Sequence, residues 1–455
     1  MGRLFGTDGV RGVAGRELTP ELAFKLGKAG TSVLKKTNER PVIVIGKDTR
    51  ISGDMLESAL AAGILAVGGN VMLAGVVPTP AIAYLARHYH ADAGIVISAS
   101  HNTFEYNGIK FFNGDGYKLD DLLEEKIEDI ILSSVDASSH VTGEKIGRRL
   151  EAEEDASDLY VNHLLETVSY RLDGRKIVLD CANGASYRIA ERVYRSLGAD
   201  VTVIGNEPDG ININDSCGST HPEKLQEEVL RQGAEIGLAF DGDADRLIVV
   251  DNLGRVLDGD KTIAICARML KKEGRLQDDR VTVTVMSNIG FHKAMEEAGI
   301  SVDVTGVGDR YVLERMRETG CMIGGEQSGH IIFAEHTTTG DGILSSLQLM
   351  EALLASGKTM AQLSDEIRIY PQVLVNARIH NDFKKTWQKD PEVAAEIAAV
   401  EKAVEGSGRL LIRPSGTEPL VRVMLEGSDT EEIRPLAERL ASLIESKFRK
   451  SDEEE

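Results

Sequence analysis

The sequence has few of the residues that would tie it to an oxidising compartment or to a zinc site. Its 455 residues include four cysteines, Cys181, Cys217, Cys266 and Cys321, with no C-x-x-C pair and no metal-ligand spacing. Free thiols in a reducing compartment are the simple reading and are expected. Positive charge is also scarce: Lys plus Arg number 52 against 73 Asp plus Glu, a formal charge of -21. A chain this acidic is no non-specific nucleic-acid binder, and any anionic ligand must be met by a local cluster of Arg and Lys. No apolar run is long enough to span a bilayer, so no membrane partner is expected. Met1-Gly2-Arg3-Leu4-Phe5-Gly6 lacks an apolar core, which argues against a secretory signal, and Gly6 breaks the myristoylation pattern. A cytoplasmic protein is expected, with Ser451-Asp452-Glu453-Glu454-Glu455 as a frayed acidic tail.

What is present is a repeated strand–loop–helix rhythm. Phe5 to Gly12 is too rich in Gly for a helix and reads as a structured loop with Asp8 and Arg11 exposed. A helix capped at Thr19 follows, then a strand from Val42 to Ile45, a helix from Met55 to Val67, and a buried strand from Gly94 to Ala99. This first α/β unit, with mostly parallel pairing, ends in the charged stretch Glu151 to Ser157. Two further units carry strands at Lys176–Leu179, Ala234–Phe240 and Val281–Val285, each ending in a polar loop. After Pro371 a smaller α+β unit has strands at Leu374–Ile379, Arg409–Ile412 and Val421–Leu425, with helices at Glu392–Val404 and Thr430–Phe448. The fold expected is therefore three similar α/β mixed-sheet domains plus a smaller C-terminal α+β domain. Their bounds are 1–152, 153–253, 254–368 and 369–455.

Four loops carry chemistry. Ser98-Ala99-Ser100-His101-Asn102 puts a hydroxyl at the tip of a buried strand, where open α/β sheets place their sites. His101 is not expected to activate Ser100, because neighbours on an extended strand face opposite ways; another partner must serve it. The plainer reading of Ser100 is a turn cap. Asp241, Asp243 and Asp245 alternate, which in an extended loop puts three carboxylates on one side and calls for a hard cation, Mg²⁺ first. The plainer reading is a solvated acidic turn. Arg413-Pro414-Ser415-Gly416-Thr417-Glu418-Pro419, with Arg422 beyond it, joins two strands and offers backbone N–H groups and two guanidiniums to an anion. Glu326, Ser328 and His330 also alternate and could share a face toward vicinal hydroxyls of a sugar; taken alone this signal is weak. Gly357-Lys358-Thr359 and Gly306-Val307-Gly308 fail as a P-loop and as a dinucleotide fingerprint, since Ala352 and Tyr311 stand where glycine is needed.

In this order and at this spacing the four loops resemble the α-D-phosphohexomutases, over essentially the whole chain. The loop Phe5 to Gly12, the stretch Asn212-Ile213-Asn214 with Cys217 to Glu223, and Gln327 resemble the bacterial amino-sugar branch of that family. The resemblance implies a heart-shaped molecule with a central cleft, and Ser100 as a phosphoserine. It implies Mg²⁺ held by Asp241, Asp243, Asp245 and a phosphoserine oxygen. It also implies interconversion of glucosamine 6-phosphate and glucosamine 1-phosphate through a 1,6-bisphosphate, serving UDP-N-acetylglucosamine synthesis, in a homodimer. Glucosamine or glucose 1,6-bisphosphate would be activator and intermediate. Arg246 would neutralise charge at Ser100. Arg413, Ser415, Gly416, Thr417 and Arg422 would hold the phosphate that is not reacting, and Glu326, Ser328 and His330 the sugar. Arg11, Lys110 and His330 are unranked candidates for acid, base or charge-stabilising work, and Lys47 and Arg50 candidates to line the cleft. Thr103 stands where the family usually has Pro, which frees that loop. The alternatives are phosphomannomutase or phosphoglucomutase activity, or a phosphosugar-binding protein without turnover.

Overall fold

The computed structural model of the chain describes residues 4–6, 8–35, 40–133, 141–415 and 418–449. Gly416 and Thr417 of the anion loop, and the acidic end 451–455, lie outside the described residues. The chain forms two compact units, 1–286 with 298–366, and 287–297 with 367–455.

The larger unit holds three mixed sheets. The first has the strand order Val10–Val13, Tyr106–Asn113, Ala93–Ile97, Val42–Lys47, Asn70–Val76, Arg149–Leu150. Its centre is parallel, while Tyr106–Asn113 runs antiparallel to both Ala93–Ile97 and Val10–Val13. The strand Tyr106–Asn113 itself was not read from the sequence, because Gly108 and Lys110 interrupt its apolar pattern. Beneath the sheet the helices Pro20–Leu34 and Gly53–Ala66 cross at backbone contact. A Cβ on Gly27 would strike the Leu60 carbonyl, and one on Gly63 the Phe24 carbonyl. That close approach seals a core of Leu26, Leu56, Leu60, Ile45 and Phe111. The second helix starts two residues earlier than expected, at Gly53, and ends at Ala66 rather than Val67.

The second sheet has the order Val256–Leu257, Leu247–Asp251, Ile236–Phe240, Lys176–Asp180, Asp200–Ile204. The helix Ala156–Glu166 before it opens inside the charged stretch read as a boundary, capped by Asp155. The third sheet runs Ser301–Thr305, Arg280–Thr284, Ile323–Gly325, Ile331–Phe333. All four cysteines are buried free thiols. Among the described residues, no helix is long and apolar enough to cross a membrane.

The smaller unit has a three-stranded antiparallel sheet, Gln372–Arg378, Leu420–Glu426, Arg409–Pro414, packed on the helices Pro391–Val404 and Thr430–Phe448. The helix Ile289–Glu297 joins it: the Ile289 N–H donates to Glu426 Oε2 at 2.8 Å.

Candidate active site

The strand Ala93–Ile97, buried along its whole length, delivers Ser98, Ala99 and Ser100 to the end of its sheet. It stops two residues short of expectation. Ser100 adopts φ +51, a left-handed conformation that a side chain disfavours. The bend changes what Ser100 can reach. Its Oγ lies 3.3 Å from His101 Nδ1, so the neighbours are not on opposite faces. Burial, with the Arg246 and Arg11 guanidiniums, pushes His101 down to about 4, leaving the imidazole neutral near pH 7. The shorter contact is to another sheet: Ser100 Oγ donates to Asp241 Oδ2 at 2.5 Å.

Asp241 opens the turn after the strand Ile236–Phe240. The turn is not extended, since Ala244 sits at φ +57 and donates its N–H to the Asp241 carbonyl. The carboxylates converge by this turn rather than by strand alternation. Asp241, Asp243 and Asp245 each offer an oxygen within 4.8 Å of the others, and all three are buried. Thr79 helps set the turn, donating Oγ1 to Asp243 Oδ2 at 2.6 Å and its N–H to the Asp243 carbonyl at 2.9 Å. A Cβ on Gly242 would lie 2.5 Å from the Ser100 carbonyl oxygen, so the two loops meet only because that residue is glycine.

The set fits a hard divalent cation. Asp243 Oδ1 and Asp245 Oδ1 are buried without a hydrogen-bond donor among the described residues. Burial and the Asp245 and Asp243 charges push Asp241 well above the usual carboxylate range, with Arg246 opposing. Three carboxylate oxygens gathered this closely are the donor set that a hard divalent cation such as Mg²⁺ takes.

Cations surround the carboxylates. Lys110 Nζ sits 2.8 Å from Asp243 Oδ2, 2.9 Å from Asp8 Oδ2 and 3.9 Å from Asp245 Oδ2. Burial opposes its charge, but those carboxylates win and hold it as an ammonium. Lys118 Nζ bonds Asp8 Oδ1 at 2.7 Å and pairs with Asp309. Arg11 pairs with Asp8; neither is the freely exposed loop residue expected, at 28 % and 22 % side-chain exposure. The Arg246 N–H donates to Asp241 Oδ1 at 3.2 Å, and its buried Nε has no acceptor among the described residues. His330 lies between carboxylates: Nδ1 is 3.5 Å from Asp245 Oδ2 and Nε2 is 3.4 Å from Asp309 Oδ2. Burial lowers its pKa, but Asp245 and Asp309 outweigh that and raise it, in competition with the Gly340 N–H that the unprotonated Nε2 accepts.

Glu326, Ser328 and His330 do not share a strand face. They occupy the turn between Ile323–Gly325 and Ile331–Phe333. His330 is buried, with Nε2 accepting the Gly340 N–H at 3.0 Å; Glu326 Oε1 accepts the Gly308 N–H at 3.1 Å; Ser328 is exposed. The turn breaks the alternation because its backbone must reverse within four residues.

In the smaller unit Arg413 and Arg422 are cross-strand partners on adjacent strands, which puts both guanidiniums on one face. Arg422 Nη2 bonds Glu418 Oε2 at 3.0 Å, whereas Arg413 has no acidic partner among the described residues. Two arginines directly opposite are unfavourable without an anion. Ser415 Oγ accepts the Glu418 N–H at 3.2 Å and closes the turn.

The phosphoglucomutase/phosphomannomutase family matches the chain through four domains: α/β/α domain I over residues 2–137, II over 158–254, III over 258–370, and the C-terminal domain over 374–443. The chain belongs to this family. It is 56 % identical over 447 residues to a phosphoglucosamine mutase of Clostridium novyi, covering 98 % of this chain and 99 % of the relative. It is 56 % identical over 451 residues to a phosphoglucosamine mutase of Caldicellulosiruptor bescii, covering 98 % of this chain and 100 % of the relative. Among solved structures, a phosphoglucomutase/phosphomannomutase family protein of Burkholderia thailandensis superposes with a TM-score of 0.80 at 25 % identity, covering 98 % of each chain.

Within this phosphohexomutase framework, sequence reasoning missed several groups around the carboxylates. Lys118, Asp309 and Thr79 carry no local motif and reach the site from separate elements. Asp8 was seen only as a loop residue. Arg50, assigned to a cleft wall, is instead buried beneath the Ser100 loop. Lys47 is held by Asp54 Oδ1 and Glu57 Oε2, each at 2.6 Å.

Proposed function

We propose that the chain interconverts glucosamine 6-phosphate and glucosamine 1-phosphate, the phosphoglucosamine mutase reaction, with Ser100 as the phosphoryl carrier. The observation that carries this is the Ser100 Oγ–Asp241 Oδ2 contact inside a carboxylate cluster with oxygens that have no hydrogen-bond partner among the described residues. The names of the two relatives at 56 % identity support the sugar. Phosphoryl transfer needs little covalent help from a protein; it needs positioning and charge neutralisation.

Asp241, Asp243 and Asp245, with an oxygen of phosphorylated Ser100, would hold Mg²⁺. Bound there, it would neutralise the charge developing on the phosphoryl oxygens. The Ser100 Oγ–phosphorus bond breaks as an oxygen–phosphorus bond forms to a free sugar hydroxyl; Ser100 Oγ keeps the bonding electrons and ends as the hydroxyl, and the proton lost by the sugar hydroxyl balances the one it gains. The resulting 1,6-bisphosphate turns over and returns its other phosphate to Ser100 by the reverse step. Arg246 adds a fixed positive charge beside Asp241. Lys110, kept an ammonium by Asp243 and Asp8, and Arg11, paired with Asp8, are suited to stabilising charge. His330, pinned between Asp245 and Asp309, is the titratable group for moving the hydroxyl proton. Glu326 and Ser328, at the hairpin tip, would take sugar hydroxyls. Arg413 and Arg422, with Ser415, Gly416 and Thr417, would take the idle phosphate.

The proposal extends to domains bounded at 152, 253 and 368, to a cytoplasmic homodimer, and to glucosamine or glucose 1,6-bisphosphate as activator. Intact mass and peptide mapping before and after incubation with glucose 1,6-bisphosphate test the carrier. One added phosphate on Ser100, absent from Ser100→Ala together with nearly all turnover, is expected. Turnover without phosphate on Ser100 refutes the assignment. Relative kcat/KM on glucosamine, glucose and mannose 6-phosphates tests the sugar; a preference for glucose or mannose would move the activity to that branch.

A further inference from the structure

We infer that Asp48, Arg50 and Asn214 form a buried clamp that positions Ser100 for phosphoryl transfer, an inference resting on the role of Ser100 proposed above. Ser100 is held at φ +51, a strained conformation for a residue with a side chain, which persists only when its surroundings enforce it. The enforcing groups are specific. Arg50 Nη2 donates to the carbonyls of Ser100 and Asn102, each at 2.9 Å, and Asn214 Nδ2 donates to the same two carbonyls, each at 2.9 Å. Arg50 Nη1 donates to the Tyr106 carbonyl at 3.0 Å and to the Thr103 carbonyl. Four carbonyls of one short loop thus turn inward onto a single guanidinium.

The amide side of Ser100 is held by the same assembly. Arg50 Nε bonds Asp48 Oδ2 at 2.9 Å, with both side chains wholly buried. Asp48 Oδ2 also accepts Ser98 Oγ at 2.5 Å, and Ser98 Oγ accepts the Ser100 N–H at 3.0 Å. Both polar ends of Ser100 therefore lead to one ion pair. The remaining freedom directs Oγ, which lies on Asp241.

Asn214 gives the clamp a second role. It comes from the stretch Asn212-Ile213-Asn214 beside the second sheet, itself held by the Asn214 N–H on the Ala182 carbonyl at 2.9 Å and by the Ile51 N–H on the Gly210 carbonyl at 2.8 Å. A Cβ on Gly242 would lie 2.5 Å from the Ser100 carbonyl and 2.9 Å from Asn214 Nδ2. The carboxylate loop thus packs, through Gly242, against the same carbonyl and amide that meet in the clamp. A carrier that gives up and recovers a phosphoryl group needs this registry, because a displacement near 1 Å costs about a hundredfold in rate.

Arg50→Lys, Asn214→Ala and the double variant test the inference, read by the rate of Ser100 phosphorylation from glucose 1,6-bisphosphate, by kcat and KM, and by circular dichroism. A lysine point charge cannot make the forked contacts. Each single variant should lose tenfold or more in phosphorylation rate and in kcat, with KM within about threefold. The double variant should lose less than the product of the singles, since both donors serve the same carbonyls. Should Arg50→Lys fail to fold, Asn214→Ala decides alone. Folded variants with wild-type phosphorylation and kcat, or losses confined to KM, overturn the clamp while leaving Ser100 as carrier. Wild-type protein that turns over without phosphate on Ser100 overturns both.

Discussion

Asp243→Asn separates a cation site from an acidic turn. The amide keeps the shape of the side chain and an acceptor for Thr79 Oγ1, now 2.6 Å from Asp243 Oδ2, and removes one unit of charge. A unit pair 4 Å apart is worth ~4 kcal/mol at an effective dielectric near 20, so a divalent ion loses ~8 kcal/mol gross. Lys110 offsets part of that. Its Nζ already sits 2.8 Å from Asp243 Oδ2, so an incoming ion must compete with it for this oxygen in the wild type. Taking the offset as roughly half leaves ~4 kcal/mol, which at 1.4 kcal/mol per decade is two to three decades in Kd. The assay is thermal unfolding across a Mg²⁺ titration, followed by the Mg²⁺ dependence of turnover. The half-saturating concentration should rise on the order of a hundredfold or more. A folded variant whose midpoint stays within about threefold of wild type would refute the reading of the loop as a metal site.

Two other outcomes follow from the same structure. Arg413→Lys should raise KM for hexose phosphates about tenfold and change kcat less, because a lysine cannot present the planar fork that suits a phosphate; an unchanged KM would remove Arg413 from the substrate site. Asp341 caps the helix Gly342–Ser356 and accepts the Tyr160 hydroxyl at 2.6 Å, and burial raises its pKa to about 6 despite those bonds. A carboxyl raised on folding contributes stability that is complete below about pH 4 and lost as pH rises through 6, a change of at most ~3 kcal/mol. Asp341→Asn should flatten that decline in denaturant midpoints between pH 4 and 7, and an identical slope in the variant would show that Asp341 is not its source.

The loops were legible because their signals are local. The strand that ends near Ser100, the three aspartates and the Arg413–Arg422 loop all follow from short runs of sequence, and the helix Thr430–Phe448 was read to the residue. Where sequence reasoning failed, a backbone reversal was responsible. Ser100 and Ala244 take positive φ, which nothing in Ser or Ala advertises, and these bends bring His101 to Ser100 and gather the aspartates. The hairpin at Glu326 failed likewise: alternation along the sequence became a turn that sent His330 inward and Ser328 outward.

The sequence alone determined the three-plus-one domain plan, the acidic balance, the free thiols and the identity of the loops, because each depends on composition or on neighbours within a few residues. The tertiary structure decided which charges meet. Asp8, the pair Lys110 and Lys118, and the pair Asp309 and His330 come from three distant stretches of chain to one cluster, with Lys118 and Asp309 separated by 191 positions. Arg50 became a clamp rather than a cleft wall only because folding placed four inward-facing carbonyls around it. Pairing of this kind depends on desolvation and on distances of a few ångströms between remote segments, and such distances exist only once the sheets have formed.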